Sequence, residues 1–298
     1  MKHLKPFSAG ILLALSACTP DEILPSNNPY LAIPDTHFEA RLIDMGIDTD
    51  GTLNQQLLKS DAEKITRLEL DFSSEYEPIK DVTGIEGFTN LTYLSITRQD
   101  IVEIDLSAHN QLDSLDLTGN FLSHLDVSGN PHLIWLNASS NGMTSIEGIE
   151  DAGNLKSVNL SYNDFEHVTM NNQSLEYLSV SDNLLKTIQL TGASHLKSAL
   201  LTNNQLTVVD FTSNRRIETI LISANKLTTL DLSENTALEV LYISGNALES
   251  LDVSQNQHLW NLKPDRNPDL LCIKVAEGQE IPSIRLSDYQ QLSPFCEN

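Results

Sequence analysis

The sequence predicts a mostly β solenoid of about ten coils of ~21 residues. Few or no convex helices are expected, with a small helical N-terminal cap and a disulfide-stapled C-terminal cap. Three observations predict it. A nine-residue outline, apolar at its first, fourth and sixth positions and ending in Asn, recurs at a nearly constant period. A second, shorter outline falls halfway through most periods, as in "LYISGN" and "LDVSQN" between Leu241 and Asn256. Both flanks of the array lose the pattern, as the ends of a stacked structure must.

The first segment, 1–17, reads as a signal peptide. Lys2 and Lys5 precede an apolar run from Phe7 to Ala17. That run is shorter than the roughly 20 residues a bilayer crossing takes. It ends in Leu15-Ser16-Ala17-Cys18, which resembles the bacterial lipobox, in which the Cys is lipidated and becomes the new N-terminus. The resemblance implies a lipid-anchored protein, with Cys18 the lipidation site. Thr19, where an Asp would favour the inner membrane, points to the outer membrane and admits the cell surface. Residues 18–33, with Pro20, Pro25 and Pro29, read as a tether. Residues 34–64 read as the N-terminal cap, with Asp35 capping a helix to about Met45 and Phe38, Leu42 and Ile43 on its inner face.

The repeats occupy residues 65–270. Their openers are Ile65, Leu91, Leu112, Leu133, Leu155, Leu175, Leu196, Ile217, Leu238 and Leu259, and six of the nine gaps between them are 21 residues. Asn closes eight consecutive outlines, from Asn120 to Asn267, whereas the first two have Ser73 and Gln99 there. The fourth and sixth positions point inward along a strand of period two, and the third and fifth point out. A buried Asn at the following bend can bond the backbone of its own coil and of its neighbour. One coil cannot bury its own apolar side, whereas stacked coils share a core. The half-period segments, such as "LDV" at 125–127 and 251–253, predict a second extended face. The coils opening at Leu133 and Leu155 lose that motif and are expected to be irregular there. Residues 271–298 form the C-terminal cap. Cys272 and Cys296 in an exported chain permit a disulfide, favoured here over two free thiols.

The array resembles the leucine-rich-repeat family, over about two-thirds of the chain. Its caps resemble those of exported Gram-negative members, and "DVTGIEGFTNLTYL" at 81–94 resembles the internalin type of repeat. The resemblance implies a binding protein rather than an enzyme. The alternative is a structural envelope component without a discrete ligand.

A net charge of −23 disfavours nucleic acid and docking on anionic lipid. Catalytic motifs are missing, with no Gly-x-Ser-x-Gly, no His-Glu-x-x-His and no phosphate loop, and no cofactor is expected. "DTDGTLNQQLLK" at 48–59 departs from a calcium loop, with Leu53 at its glycine position and Lys59 at its closing glutamate, and reads as a capping loop. His132, His195 and His258 share a repeat position three coils apart, too far to share a metal ion. The stacked Asp105 and Asp126, and Asp210, Asp231 and Asp252, read as a solvated face with local backbone bonds, or as a weak cation column.

The outward first-strand residues are the candidate site. Tyr93, Trp135 and Tyr177 fall on alternate coils, about 10 Å apart. Leu200, Leu221, Val240 and Tyr242 form an apolar patch over three successive coils. Exposed aromatic and apolar clusters with polar rims mark binding surfaces. The aromatic spacing suits a glycan and the patch suits a protein.

Overall fold

A computed structural model describes residues 28–296. The N-terminal cap contains β1 (Tyr30–Ala32), α1 (Thr36–Asp44), β2 (Gln56–Leu58) and the single-turn α2 (Lys59–Ala62). Asp35 caps α1, accepting the N–H groups of His37 (2.8 Å) and Phe38 (3.1 Å). β1 pairs antiparallel with β2 and Ile33 is fully buried, so the cap takes in residues 30–33, which proline content had placed in the tether. The inner face of α1 also differs from expectation. Phe38 and Leu42 are buried as foreseen, but Ile43 is only half-buried and the third buried residue is Glu39.

Glu39 is buried because the loop after α1 needs an acceptor. Its Oε1 takes the N–H groups of Asn54 (2.8 Å) and Gln56 (3.2 Å). Asp48 accepts the Asp50 N–H and Asp50 accepts the Thr52 N–H, so the 48–59 segment is held by its own carboxylates. Burial pushes the Asp48 carboxyl up. The bond from Asp50 opposes this, while the charges of Asp50, Glu39 and Asp61 add to it. A raised folded-state pKa means that Asp48 favours folding at low pH and opposes it once ionised. Asp48→Asn keeps the acceptor and removes the charge. The variant is expected to melt above the wild type at pH 7, with the gap closing as pH falls toward 3.8. Paired thermal melts across that range check it.

Eighteen further strands form the coils: β3 (Arg67–Glu69), β4 (Tyr93–Ser95), β5 (Ser114–Asp116), β6 (His124–Asp126), β7 (Trp135–Asn137), β8 (Ser145–Glu147), β9 (Ser157–Asn159), β10 (His167–Thr169), β11 (Tyr177–Ser179), β12 (Thr187–Gln189), β13 (Ser198–Leu200), β14 (Thr219–Leu221), β15 (Val240–Tyr242), β16 (Leu251–Asp252), β17 (Asn261–Lys263), β18 (Cys272–Lys274), β19 (Ser283–Ile284) and β20 (Gln291–Ser293). One parallel sheet of 11 strands runs in the order β3-β4-β5-β7-β9-β11-β13-β14-β15-β17-β19. Ten of these strands belong to the expected coils. The eleventh, β19, comes from the C-terminal cap, which therefore adds a coil instead of merely closing the stack. At strand spacing the sheet is about 48 Å long.

The Asn residues bond two coils at once. Asn204 Nδ2 donates to Leu201 O in its own coil (3.1 Å) and to Val180 O in the preceding one (2.9 Å). Its Oδ1 accepts the Leu185 N–H at 3.0 Å. Gln99, which stands where the outline lacks Asn, does the same work, accepting from Ile79 N and donating to Leu70 O at 2.7 Å each. The residue before each closing position, from Arg98 to Arg266, is left-handed (φ between 54° and 73°), and seven of these nine are not glycine. The bend is thus set by the asparagine bonds strongly enough to hold ordinary residues in a conformation they avoid.

The second face departs from expectation. The coils opening at Leu133 and Leu155, expected to be irregular, carry strands β8 and β10. The intact motifs at 104–106, 209–211 and 230–232 carry none. The ladders are β6-β8, β10-β12 and β16-β18-β20. No ladder joins two coils that both present Asp at the motif, but like charge alone is not the reason, because the carboxylates of β6 and β8 stand in register. Glu147 beside Asp126 and Lys274 beside Asp252 do pair, and Lys274 reaches Asp252 at 2.8 Å. Gln189 beside Asp210 is also unpaired, which charge does not explain. Each aspartate accepts the N–H two residues on, Asp210 from Thr212 (2.8 Å) and Asp231 from Ser233 (2.9 Å), and these bonds hold the carboxyls below their ordinary range.

Cys272 and Cys296 form the disulfide, 24 residues apart in sequence. It ties β18 to the segment after β20. Closing a loop of that length is worth about 3 kcal/mol in the chain-entropy model. Coils contact only their neighbours, so the loss should stay local. The double variant Cys272→Ala, Cys296→Ala is expected to raise amide exchange in β18 and β20 while leaving β5 to β13 protected. Exchange mass spectrometry reads this directly.

Candidate functional site

The 11-stranded sheet displays two outward columns, and its register fixes which side chains are neighbours. The first column runs Tyr93, Ser114, Trp135, Ser157, Tyr177, Ser198, so aromatic and serine residues alternate across β4 to β13. Continuing, Ser198 neighbours Thr219, and Thr219 neighbours Val240. The second column runs Ser95, Asp116, Asn137, Asn159, Ser179, Leu200, Leu221, Tyr242. Parallel pairing without slippage stacks like positions, because a slip of one residue would turn the inward leucines to solvent.

The candidate residues differ in how free they are. Tyr177 is 51% exposed. Trp135 and Tyr93 are half-buried, and the Arg67 guanidinium lies 3.5 Å from the centre of the Tyr93 ring, covering one of its faces. Leu200, Leu221, Val240 and Tyr242 are all half-buried and contiguous. The Tyr242 ring is held at two points. Lys263 Nζ lies 3.7 Å from the ring centre, and Asn261 Nδ2 donates to its hydroxyl at 2.9 Å. Lys263 beside the ring holds the Tyr242 hydroxyl below its ordinary pKa. A ring so fixed loses little rotamer freedom on binding. Cys18 lies outside the described residues.

Sequence reading missed three features. The second-column side chains from Asp116 to Asn159 are pinned. Asp116 Oδ1 accepts from Thr118 Oγ1 (2.6 Å), Asn137 Oδ1 from Ser139 Oγ (2.8 Å) and Asn159 Oδ1 from Ser161 N (3.1 Å). The polar residue two places after each strand's second outward position was the available signal. On the second face, a cleft of about 370 Å³ opens where the β8 and β10 ladders fail to meet, lined by Ile146, Ile149, Phe165, His167 and Val168. Beside the disulfide, a larger cleft of about 710 Å³ is lined by Glu249, Asp252, Asp269, Leu271 and Lys274.

No family model matches the sequence, and no curated protein matches it. Solved structures do match, and together with the coil geometry they define the fold as a leucine-rich-repeat solenoid. A leucine-rich-repeat protein of Leptospira interrogans is 22% identical with a TM-score of 0.63, the match covering 76% of this chain and 62% of that one. Internalin C2 of Listeria monocytogenes is 19% identical with a TM-score of 0.55, covering 70% and 92%. A chain of the LRIM1/APL1C complex is 23% identical with a TM-score of 0.55, covering 78% and 47%.

Proposed function

We propose that this chain is a lipid-anchored binding protein of the bacterial cell envelope, held by Cys18 in the outer membrane and recognising a protein partner through its concave sheet. The observation that carries the reading is the patch of Leu200, Leu221, Val240 and Tyr242 on β13 to β15. It is contiguous by register, half-buried, and rimmed by the polar Asn261 and Lys263. Within the patch the preorganised Tyr242 ring is the hot-spot candidate, since tyrosine is among the residues enriched at such positions, and the aliphatic neighbours supply the apolar area around it. Among its structural neighbours, one was solved as a complex of two proteins, LRIM1 and APL1C. The lipobox resemblance supports the anchor. No helix among the described residues is long and apolar enough to cross a membrane.

Protease treatment of intact cells tests the location. Loss of the solenoid, with a periplasmic control protected, supports outward display. Survival of a solenoid that the same protease cuts when purified argues for a periplasmic partner. Leu221→Ser with Tyr242→Ala tests the surface. Binding to an identified partner should fall at least tenfold, and unchanged binding would remove the patch from the proposal.

A further inference from the structure

We infer that the coils N-terminal to the apolar patch form a second binding site, which takes a neutral, extended, β-linked polysaccharide. Its floor is the stretch of sheet from β5 to β11. The argument begins with the alternation in the first column. Trp135 and Tyr177 stand two strands apart, about 10 Å, and Ser157 lies between them in register. An extended β-1,4-linked hexose chain turns alternate sugars over, so one apolar sugar face recurs every second unit. That recurrence is also about two strand spacings long. A sugar face can rest on each ring, while the small serine leaves room for the inverted unit between them. Tyr93 would continue the row, but Arg67 already covers one face of its ring.

The second column supplies the polar half of the recognition. Asp116, Asn137 and Asn159 stand side by side. Each fixes its Oδ1 on a hydroxyl or N–H two residues along the chain, the pattern of a local side-chain turn. Fixing Oδ1 also fixes the other polar atom. Asn137 Nδ2 and Asn159 Nδ2 are left as donors and Asp116 Oδ2 as an acceptor, with no bond to any of the three among the described residues. A row of rigid donors and an acceptor beside aromatic platforms matches a ligand that carries hydroxyl groups along its edge and apolar faces above and below. Preorganisation of this kind lowers the entropy lost on binding.

Charge selects the neutral class. Between β4 and β15 the two columns carry no Lys or Arg. The charged groups by the floor are Asp116 and, along its edge, Asp113, whose carboxylate accepts from Ser114 Oγ, Lys156, and the pair Glu176 and Lys197 at 2.7 Å, so acids outnumber cations by one. On a chain of net charge −23 this surface repels polyanionic glycans. The inference stands apart from the protein-binding reading, which rests on β13 to β15.

The test uses tryptophan emission. The chain has two Trp residues, and Trp260 lies on another column, 47% exposed. Trp260→Phe in the detergent-solubilised full-length protein makes Trp135 the sole indole. Cellohexaose and chitohexaose are the neutral β-linked probes, maltohexaose the α-linked control and polygalacturonate the anionic one. A saturable blue shift is expected with at least one β-linked hexasaccharide and none with either control. Tyr177→Ala should weaken that binding about tenfold, as should Asn159→Ala, while Leu221→Ser should leave it unchanged. Tyr177 is exposed, so its removal should leave the melting temperature in place, which a melt confirms. No saturable shift with either β-linked probe would overturn the inference. So would binding indifferent to Tyr177→Ala, or equal binding to polygalacturonate.

Discussion

Asn204→Ala is expected to lower the free energy of unfolding by about 4 kcal/mol, and Asn214→Ala by about half as much. The two residues look alike in sequence, since each is the third residue after an extended segment, Ala199-Leu200-Leu201 or Val209-Asp210-Phe211. They differ in what they satisfy. Asn204 serves the carbonyls of Leu201 and Val180 and the N–H of Leu185, joining three backbone groups across two coils. Removing it orphans the buried Leu185 N–H, which costs about 1–3 kcal/mol, and loses two further bonds of about 1 kcal/mol each, although Leu201 O keeps Asn225 Nδ2 and Val180 O keeps Asn183 Nδ2. Asn214 donates to Leu190 O (3.1 Å) and Ala193 O (2.8 Å), but its Oδ1 makes no bond among the described residues. Its loss removes two bonds but strands neither carbonyl, since Leu190 O keeps the Ala193 N–H and Ala193 O keeps the Leu196 N–H, and it releases an amide oxygen that had no partner. Urea denaturation of both variants measures the difference. Equal destabilisation would mean that the Leu185 N–H finds another acceptor, so that the asparagine ladder is not what joins the coils.

The same contrast shows what sequence could reveal. The period, the inward leucines and the first asparagine column follow from a repeated outline, and a repeated outline has one physical solution, which is stacking. The disulfide was readable because an exported chain with two remaining cysteines favours a bridge. Features that depend on one coil differing from its neighbour were not readable. Glu39 lies at a helical position that pattern alone would give to solvent, and only the loop's unpaired N–H groups draw it inward. Tyr30 to Ala32 sit among prolines, so composition suggested a tether, whereas pairing with β2 makes them a strand. The second face was misjudged because motif quality was taken to predict strand formation. On that face the intact "LDL" at 230–232 forms no strand while the degenerate "VTM" at 168–170 pairs with β12, and charge does not separate the two cases, since Asp126 and Glu147 pair.

The outward surface of the sheet follows from the same division. Position along the repeat told which residues face outward, and register then made them neighbours. Their freedom was hidden, because it is set by contacts between coils. Arg67 takes one face of Tyr93, Lys263 and Asn261 fix Tyr242, and hydroxyls two residues on fix Asn137 and Asn159. The surface that results has two halves of different chemistry on one rigid sheet. A rigid sheet of this kind can hold two ligands in a fixed geometry, which a flexible tether between two domains cannot do.

Gly148→Ala is expected to destabilise the middle of the solenoid by about 3–5 kcal/mol, whereas Gly142→Ala in the same coil should change stability by less than about 0.5 kcal/mol. Gly148 opens "GIEDAGNL", which repeats the form of "GIEGFTNL" at Gly84, and both lead into a short 3₁₀ turn. Its φ is +71°, where a side chain costs about 1–2 kcal/mol. A Cβ there would also meet Ser128 Cα and N at 2.3 Å each, atoms of the preceding coil's backbone that cannot rotate away. The two coils must then part, and they part at β6-β8, next to the point where the second-face ladder is already broken before β10. Gly142 has neither problem, since its nearest atoms would be Leu122 O at 3.8 Å and Asp164 Oδ2 at 3.9 Å. Because each coil rests only on its neighbours, a wedge at this point should loosen β5 and β7 and with them Asp116, Trp135 and Asn137. Thermal melts of both variants, read beside the emission of Trp135, check this. A Gly148→Ala protein that melts with the wild type would show that the coils separate at no cost, and that the 3₁₀ turn is not what sets their spacing.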